Sequence, residues 1–477
     1  MSGEALWTAE AAAQATGGQL TGGADWIAEG VSIDSRTLKR GDLFVALTGD
    51  NRDGHRFVPS AVEAGAAASI ISEPVKNLAA DTALLEVGNS LNALNGLAIA
   101  ARTRCTAKRI AITGSVGKTS TKEMLRHVLG CQSPTHASAA SYNNMWGVPL
   151  TLARMHQDTV YGVFEIGMNH AGEITPLAQL VCPHIAVITT VAPVHLEFFS
   201  GVDAIADAKA EIFDGMDSSG IAVLNVDNEH FDRLSNAAHA QGCRVVPFGT
   251  SPRARSRIVT SSIHGDMCDV TVDICGQKLQ YTLPYSGHHW VMNSVAVLTA
   301  VHVAGADVRQ AAEDLAGVTA LKGRGVRHSI HCAIGNISLI DESYNANPAS
   351  MGAAIATLGV AGSGRRVAFL GDMLELGVTA PQLHEGLAVL LEQAEIDIVY
   401  LVGPLMKHLW EAVPASMRGA WTSTSQEMTS LIDQEINAGS FLQDGDVIMV
   451  KGSLGSAMAP LVKLFEEIDL TKCNSEN

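Results

Sequence analysis

A multidomain α/β protein built on parallel sheets is the fold class that the sequence predicts, on three observations. The chain has 477 residues, more than one hydrophobic core usually supports, and its length alone suggests about three domains. From about residue 86 onward, short apolar runs alternate with helical patterns, the rhythm of parallel strands joined by crossover helices. The third observation is a glycine-rich turn, TGSVGKT, placed between one such run and one such helix.

The first ~85 residues form a small α/β module of their own by pattern. In GVSIDSRTLKRGDLFVALTG, short β-like runs alternate with turn signals, and DGHRFVPSAVEAGAAASII reads as a helix followed by a strand. Strands are then expected at Ile110–Thr113, Val160–Ile166, His184–Val191 and Ile221–Val226. A helix through HHWVMNSVAVLTAVHVAGADV ends at a glycine and leads to the junction GVTALKGRGVRH. Beyond it a second set of strands, Ile337–Asp341, Arg366–Leu370, Asp397–Val402 and Val447–Val450, predicts a Rossmann-like unit. The expected division is therefore 1–85, 86–317 and 318–477.

Composition narrows the function. Nearly half the residues are apolar and 17% are charged, which is ample for burial and unlike a disordered chain. The net charge is −17, from 32 basic and 49 acidic residues, so a general nucleic-acid surface is not expected. An anionic substrate remains compatible, because a few local donors and metal ions outweigh the global field. The eight cysteines form no C-x-x-C pair and read as free thiols in a reducing compartment. The N-terminal stretch has no signal-peptide pattern, and no apolar run reaches the roughly 18 residues that span a bilayer. A cytoplasmic protein without membrane insertion is expected.

Chemistry enters at the glycine-rich turn. Ile110-Ala111-Ile112 reads as a strand, TGSVGKT as a loop and STKEMLRHVL as an amphipathic helix, the context a phosphate-binding loop requires. Glycines let the backbone approach phosphate, and the helix N-terminus favours anions. Residues Thr113, Gly114, Ser115, Val116, Gly117, Lys118 and Thr119 are the candidate ATP-phosphate cradle; Lys118 would reach the β/γ-phosphates and the Thr119 hydroxyl would hold Mg²⁺. The longer G-x-x-x-x-G-K-[ST] pattern is not met, because Ile112 stands at its first glycine. Glu165 closes an apolar strand and is placed to ligate Mg²⁺, while His195 is read as ending the next strand at the same sheet edge. Lys209, in DAKAEIF, reads from the residues alone as an ordinary helix lysine.

These stretches together with SYNNMWGVPLTLARM, GHHWVMNSVAV and KGRG resemble the Mur ligase family, ATP-dependent amide-forming enzymes of peptidoglycan precursor synthesis, over almost the whole chain. LIDESYNANPASM and FLGDMLELG resemble the branch that joins D-Ala-D-Ala to UDP-N-acetylmuramoyl-tripeptide, through an acyl phosphate and with release of ADP and phosphate. The resemblance implies that the first unit binds the UDP substrate through Asp34, Ser35 and Arg36, the second holds ATP, and the third delivers the dipeptide and completes the ATP site. It implies that Glu165 and His195 are Mg²⁺ ligands (two ions are expected), that Lys209 is carbamylated and ligates a second ion, and that Asn143 or Asn144 lies near the metals. It further implies that Asn293 contacts adenine, that Arg324 reaches the transferring phosphate, and that Asp341, Tyr344, Asn345 and Asn347 face ATP or the incoming dipeptide. Lys118, Lys209, His195 and Arg324 form the implied catalytic set, and the chain is expected to act as a monomer.

Three places depart from the family pattern: Trp290 stands where Asn is frequent, Met145-Trp146 where Asp and a small aliphatic residue are expected, and Leu454 where Arg or Asn is frequent. The alternatives are a related ligase that adds a single diamino acid, a folate polyglutamylating ligase, and a non-enzymatic nucleotide switch. The first usually carries an Asp-Asn-Pro-Arg stretch, the second lacks the N-terminal module, and a guanine-reading switch often carries N-K-x-D. Neither of those two tetrapeptide patterns occurs here.

Overall fold

The computed structural model describes residues 5–49, 52–139, 141–265, 267–285, 287–319, 321–332 and 334–471, and for 469–471 only the backbone. Cys473 lies outside them. The seven described cysteines are free thiols.

Three sheets organise the chain. The first has five strands in the spatial order Gln19–Thr21, Leu84–Glu86, Ala68–Ile71, Asp42–Val45 and Gly30–Ser32. All its pairings are parallel except at the Gln19–Thr21 edge. Leu43, Val45, Ile70 and Leu85 bury one face against the helices Ala9–Thr16 and Ser90–Arg104. Phe44 and Ile71 bury the other against Val58 and Ala61 of the helix Val58–Glu63. Burial on both faces is why these strands read as continuous apolar runs.

The middle sheet has nine strands. Its parallel part runs Thr135–Ala137, Tyr161–Glu165, Lys108–Thr113, Ile185–Ile188, Ile221–Asn225 and Arg244–Gly249. Alternate residues face opposite layers. Ile110, Ile112, Val187 and Val223 pack under the helices Lys118–Gly130 and His288–Ala304. Ala111, Phe164, Ile188 and Leu224 pack under Ile174–Val181, Val202–Ala210 and Phe231–Ala240. The strand Lys108–Thr113 lies between Tyr161–Glu165 and Ile185–Ile188, so the chain leaves it in both directions along the sheet. A crevice opens at the carboxyl ends of strands at such a switch point. Beyond Gly249 the strands Ser256–His264, Met267–Ile274 and Gln277–Leu283 extend the sheet as an antiparallel meander, which the sequence reading did not include.

In the third sheet the antiparallel edge strand Val326–Cys332 precedes five mutually parallel ones, Gly335–Glu342, Val447–Lys451, Arg366–Gly371, Ile398–Val402 and Arg418–Thr422. Both faces are covered by helices. Among the described residues, no helix is long and apolar enough to cross a membrane.

The first two sheets are tied through shared contacts. Trp7 Nε1 donates to Ala153 O at 2.9 Å, Arg154 Nε to Val31 O at 2.6 Å, and Arg104 to Leu6 O at 2.7 Å. The first module therefore sits on the middle domain's helix Gly147–Ala153 rather than hanging from a linker.

Two framework histidines are held neutral. His184 Nδ1 accepts the Arg109 amide at 3.0 Å, and burial, with Arg109 and Lys108 nearby, lowers its pKa to about 4. His136 Nε2 donates to Thr151 O at 2.7 Å, and burial lowers its pKa to about 4 as well. An unfolded chain takes up these protons near pH 6.5, whereas the folded one resists until about 4. Between those values the unfolded state binds more protons, so stability is full above 6.5 and falls as pH drops towards 4. Thermal unfolding from pH 7.5 to 5 is expected to show a declining Tm, with a shallower slope in His184→Asn; a flat wild-type profile would contradict the assignment.

Candidate active site

The phosphate loop starts where the strand Lys108–Thr113 ends and gives way to the helix Lys118–Gly130. Gly114 has φ 146° and Gly117 φ 86°, values that disfavour side chains. Space excludes them too: a methyl at Gly114 would stand 2.0 Å from Thr189 Oγ1, and one at Gly117 would stand 2.7 Å from Asn293 Oδ1. The loop is laced to the neighbouring strand end. Thr189 Oγ1 donates to Val116 O at 2.5 Å, Ser115 N donates to Thr190 O at 2.9 Å, and Ser115 Oγ donates to Ala192 O at 2.9 Å. No side chain caps the helix's first turn, which leaves its N–H groups available to an anion.

Lys118 curls back so that Nζ donates to Gly114 O at 2.6 Å. Burial lowers its pKa, Glu165 opposes that shift and Arg324 adds to it, so the Arg324 guanidinium belongs to the same electrostatic neighbourhood. Thr119 Oγ1 donates to Glu165 Oε1 at 3.2 Å. Glu165, 1% exposed, sits at the end of its strand because Ile112 pairs with it across the sheet.

Of the two asparagines, Asn143 is the one that reaches this carboxylate, with Nδ2 donating to Glu165 Oε1 at 2.9 Å. Asn144 instead accepts the Trp146 and Gly147 amides at 3.2 and 3.0 Å and starts the helix Gly147–Ala153. Glu165 Oε2 is buried and has no hydrogen-bond partner. A buried carboxylate oxygen without a donor, beside a threonine hydroxyl and a phosphate loop, fits a hard cation.

Lys209 contradicts its ordinary appearance. It lies in the helix Val202–Ala210 but is 2% exposed, and burial, with Lys118 adding to the effect, holds its pKa well below the usual lysine range. His195 departs from the strand-end expectation. The strand stops at Ile188, and His195 lies on the loop beyond it at φ 53°, just before the short 3₁₀ turn Leu196–Phe198. The loop segment Thr189–Ala192 is spent on bracing the phosphate loop, which is why the strand ends early. Burial lowers the His195 pKa, Glu375 opposes the shift, and Lys118 and Lys209 add to it.

The third domain meets this cluster from above. Arg324 stacks on the Tyr344 ring at 4.2 Å and, with Ser120, Glu123, Trp290 and Leu321, lines a small cavity next to the first turn of Lys118–Gly130. Trp290 is itself stacked on Tyr285 with ring centroids 4.4 Å apart. Asn293 abuts Gly117 of the loop.

Two expected substrate-facing residues have structural duties instead. Asp341 is fully buried: Oδ2 accepts the Gly323 amide at 2.8 Å, and Oδ1 accepts the Ser343 amide and hydroxyl at 3.1 and 2.6 Å. It fixes the turn that carries Arg324. Asn347 Oδ1 accepts the Ser350 amide at 2.9 Å in a reciprocal cap of the helix Pro348–Gly359. Asn345 is exposed, with its own backbone oxygen accepting from buried Lys451 at 2.9 Å.

In the first module, Asp34 and Arg36 form a two-point ion pair, Nη2–Oδ2 2.6 Å and Nε–Oδ1 2.9 Å. The Arg36 bond holds the Asp34 carboxyl below its ordinary pKa, with Arg52 contributing, and Ser35 stands between them half-buried. Arg52 and Glu375, the latter within FLGDMLELG, are functional candidates that the sequence reading did not single out.

Matches to family models cover most of this architecture: residues 28–102 match the Mur ligase family catalytic domain, 112–301 the Mur ligase middle domain, and 326–454 the Mur ligase glutamate ligase domain. The chain belongs to the Mur ligase family. Among Mur ligases it is 34% identical over 437 residues to the UDP-N-acetylmuramoyl-tripeptide–D-alanyl-D-alanine ligase of Rickettsia prowazekii, covering 91% of this chain and 95% of that one. It is also 34% identical over 447 residues to the enzyme of the same name from Escherichia coli, covering 93% and 95%. The crystal structure of MurF from Acinetobacter baumannii superposes with a TM-score of 0.83 at 29% identity, over 96% of this chain and 99% of that one. A Thermotoga maritima MurF ligase solved with ADP shares the fold, with a TM-score of 0.77 at 23% identity over 93% and 98%.

Proposed function

We propose that this Mur ligase joins D-Ala-D-Ala to UDP-N-acetylmuramoyl-tripeptide at the expense of ATP, in the cytoplasm and as a monomer. The observation that carries the reading is the convergence of two domains on one phosphate loop: Lys118, Thr119, Glu165 and His195 from the middle domain meet Arg324 from the third. Relatives named for this reaction, matching over nine-tenths of the chain, support it.

The units 1–85, 86–317 and 318–477 then bind the UDP moiety, hold ATP and deliver the dipeptide. Arg36, Asp34 and Ser35 present polar groups to the UDP substrate. The loop residues Thr113 to Thr119 cradle the triphosphate, and Asn293, which lies against Gly117 of the loop, contacts adenine. The terminal carboxylate of the tripeptide attacks the γ-phosphorus in line; the P–O bond to ADP breaks as the acyl–phosphate bond forms, and Lys118 and Arg324 neutralise the charge on the phosphoryl oxygens. The dipeptide amine then adds to the acyl carbon, loses a proton, and expels phosphate to leave the amide.

Thr119, Glu165 and His195 are the residues that would hold Mg²⁺. A buried lysine amine kept neutral is nucleophilic towards CO₂, and a carbamate on Lys209 would convert an uncompensated amine into an anionic oxygen ligand for a second ion. Bound Mg²⁺ supplies charge neutralisation at the β- and γ-phosphates. Closing the third domain over the loop excludes water from the acyl phosphate.

The test is phosphate release from ATP with UDP-muramoyl-tripeptide, with and without D-Ala-D-Ala, with the product mass checked. Release that needs both substrates and yields the pentapeptide adduct is expected. Turnover only with the muramoyl dipeptide and a free diamino acid would move the chain to another Mur activity.

A further inference from the structure

We propose that Glu375 is a positioning residue: a carboxylate carried by the third domain that orients the His195 imidazole of the middle domain, so that metal capture at the phosphate loop is coupled to docking of the third domain. The inference rests on the reading of His195 as a metal ligand.

The two residues are far apart in sequence and meet at the domain boundary. His195 Nδ1 and Glu375 Oε2 are 2.5 Å apart. Around them the backbones touch as well: Glu197 N donates to Glu375 O at 3.4 Å, and a methyl on Gly377 would stand 3.1 Å from Glu197 Cα. Both partners hold left-handed backbones, His195 at φ 53° and Glu375 at φ 62°. Non-glycine residues adopt that conformation at a cost, and it persists where surrounding structure imposes it.

The imposing structure on the Glu375 side is a rigid loop cluster. Leu374 N donates to Ser453 Oγ at 3.0 Å, Ser453 N donates to Asp372 O at 3.1 Å, and Ser456 Oγ donates to the same oxygen at 2.9 Å. Asp372 in turn receives the Met406 amide on Oδ1 at 2.9 Å. The carboxylate is thus presented from a fixed platform, while the His195 side is fixed through the loop that braces Ser115 and Val116.

A solvent-accessible imidazole–carboxylate contact of this kind, with side chains 26% and 45% exposed, contributes little to stability. Its geometric consequence is larger. A carboxylate accepting from Nδ1–H fixes the tautomer that leaves the Nε2 lone pair free, the arrangement found behind metal-bound histidines generally. Because the carboxylate belongs to one domain and the imidazole to another, the free imidazole is oriented only when the domains are together. By linkage, metal binding then favours docking as much as docking favours metal binding.

The experiment titrates Mn²⁺, as a paramagnetic probe, into the full-length protein with a non-hydrolysable ATP analogue, for wild type, Glu375→Ala, Glu375→Gln, His195→Ala and the double variant. Scattering profiles are recorded at the same points. Glu375→Ala is expected to weaken nucleotide-dependent Mn²⁺ binding by about 10-fold and to leave the metal-bound protein more open in scattering. Glu375→Gln, which still offers an acceptor to Nδ1–H, is expected to recover most of that loss. In the His195→Ala background, Glu375→Ala is expected to add nothing. Wild-type affinity in a folded Glu375→Ala protein overturns the proposal and leaves the ligase reading standing. Equal losses in the Ala and Gln variants overturn it as well, and absence of nucleotide-dependent Mn²⁺ binding in the wild type overturns both.

Discussion

Lys118→Met is expected to lower kcat by about 10³ while raising the Tm of the ligand-free protein. The activity loss follows from geometry: Lys118 Nζ is held at the mouth of the loop by Gly114 O, where transferred charge accumulates. The stability gain follows from electrostatics. Burial and Arg324 lower the Lys118 pKa, and Lys118 lowers that of Lys209, with Glu165 the carboxylate that opposes the shift at Lys118. Lys118 and Arg324 therefore share a site built for a polyanion, and in its absence these two cations repel one another. Methionine keeps most of the aliphatic length and removes one of the charges. Phosphate release and thermal unfolding of the same preparations check both arms. A Tm several degrees below wild type would mean that Lys118 holds the loop together, and the view of a preorganised but unstable cationic site would fail.

That cluster also shows what the sequence could and could not reveal. Parallel strands buried on both faces write themselves as apolar runs, and Arg366–Gly371, Ile398–Val402 and Val447–Lys451 lie within a residue or so of their expected positions. The meander strand Ser256–His264 was missed because most of its residues are exposed and carry no apolar stripe. Turn signals such as Cys275-Gly276, at the end of Met267–Ile274, were available to find its neighbours. The phosphate loop was legible because glycine, lysine and threonine at fixed spacing answer a local backbone requirement. Contacts that depend on tertiary placement were not. Asn143 and Asn144 are equivalent as letters, and only the approach of Glu165 separates them. Asp341 reads as a strand-end acid facing a ligand, yet the return of Gly323 from the domain junction claims its carboxylate. Lys209 reads as a surface lysine because its helix pattern is unremarkable; its burial is a property of the packing around it.

Lys209 also carries the second large expected effect. Preparing the enzyme and its buffers free of CO₂ is expected to reduce activity by at least about 10-fold, with recovery on adding bicarbonate, because a carbamate forms only from the neutral amine and reverses when CO₂ is removed. The direction of the pKa shift sets the pH dependence. An ordinary lysine near neutral pH is almost wholly protonated and reacts poorly; lowering the pKa by burial raises the neutral fraction at a given pH. Carbamylation would add CO₂ to the neutral amine, forming an N–C bond and releasing one proton, and the resulting negative charge would be favoured next to Lys118, where a cation is not. Lys209→Ala removes the attachment point and is expected to cost about 10³ in kcat without restoration by bicarbonate. With ¹³C-labelled bicarbonate, the wild-type protein is expected to show a carbamate carbon resonance that Lys209→Ala lacks. Full activity in CO₂-free wild-type enzyme, together with no labelled resonance, would mean that the amine itself occupies the site, and its role would then be that of a second phosphate-facing cation.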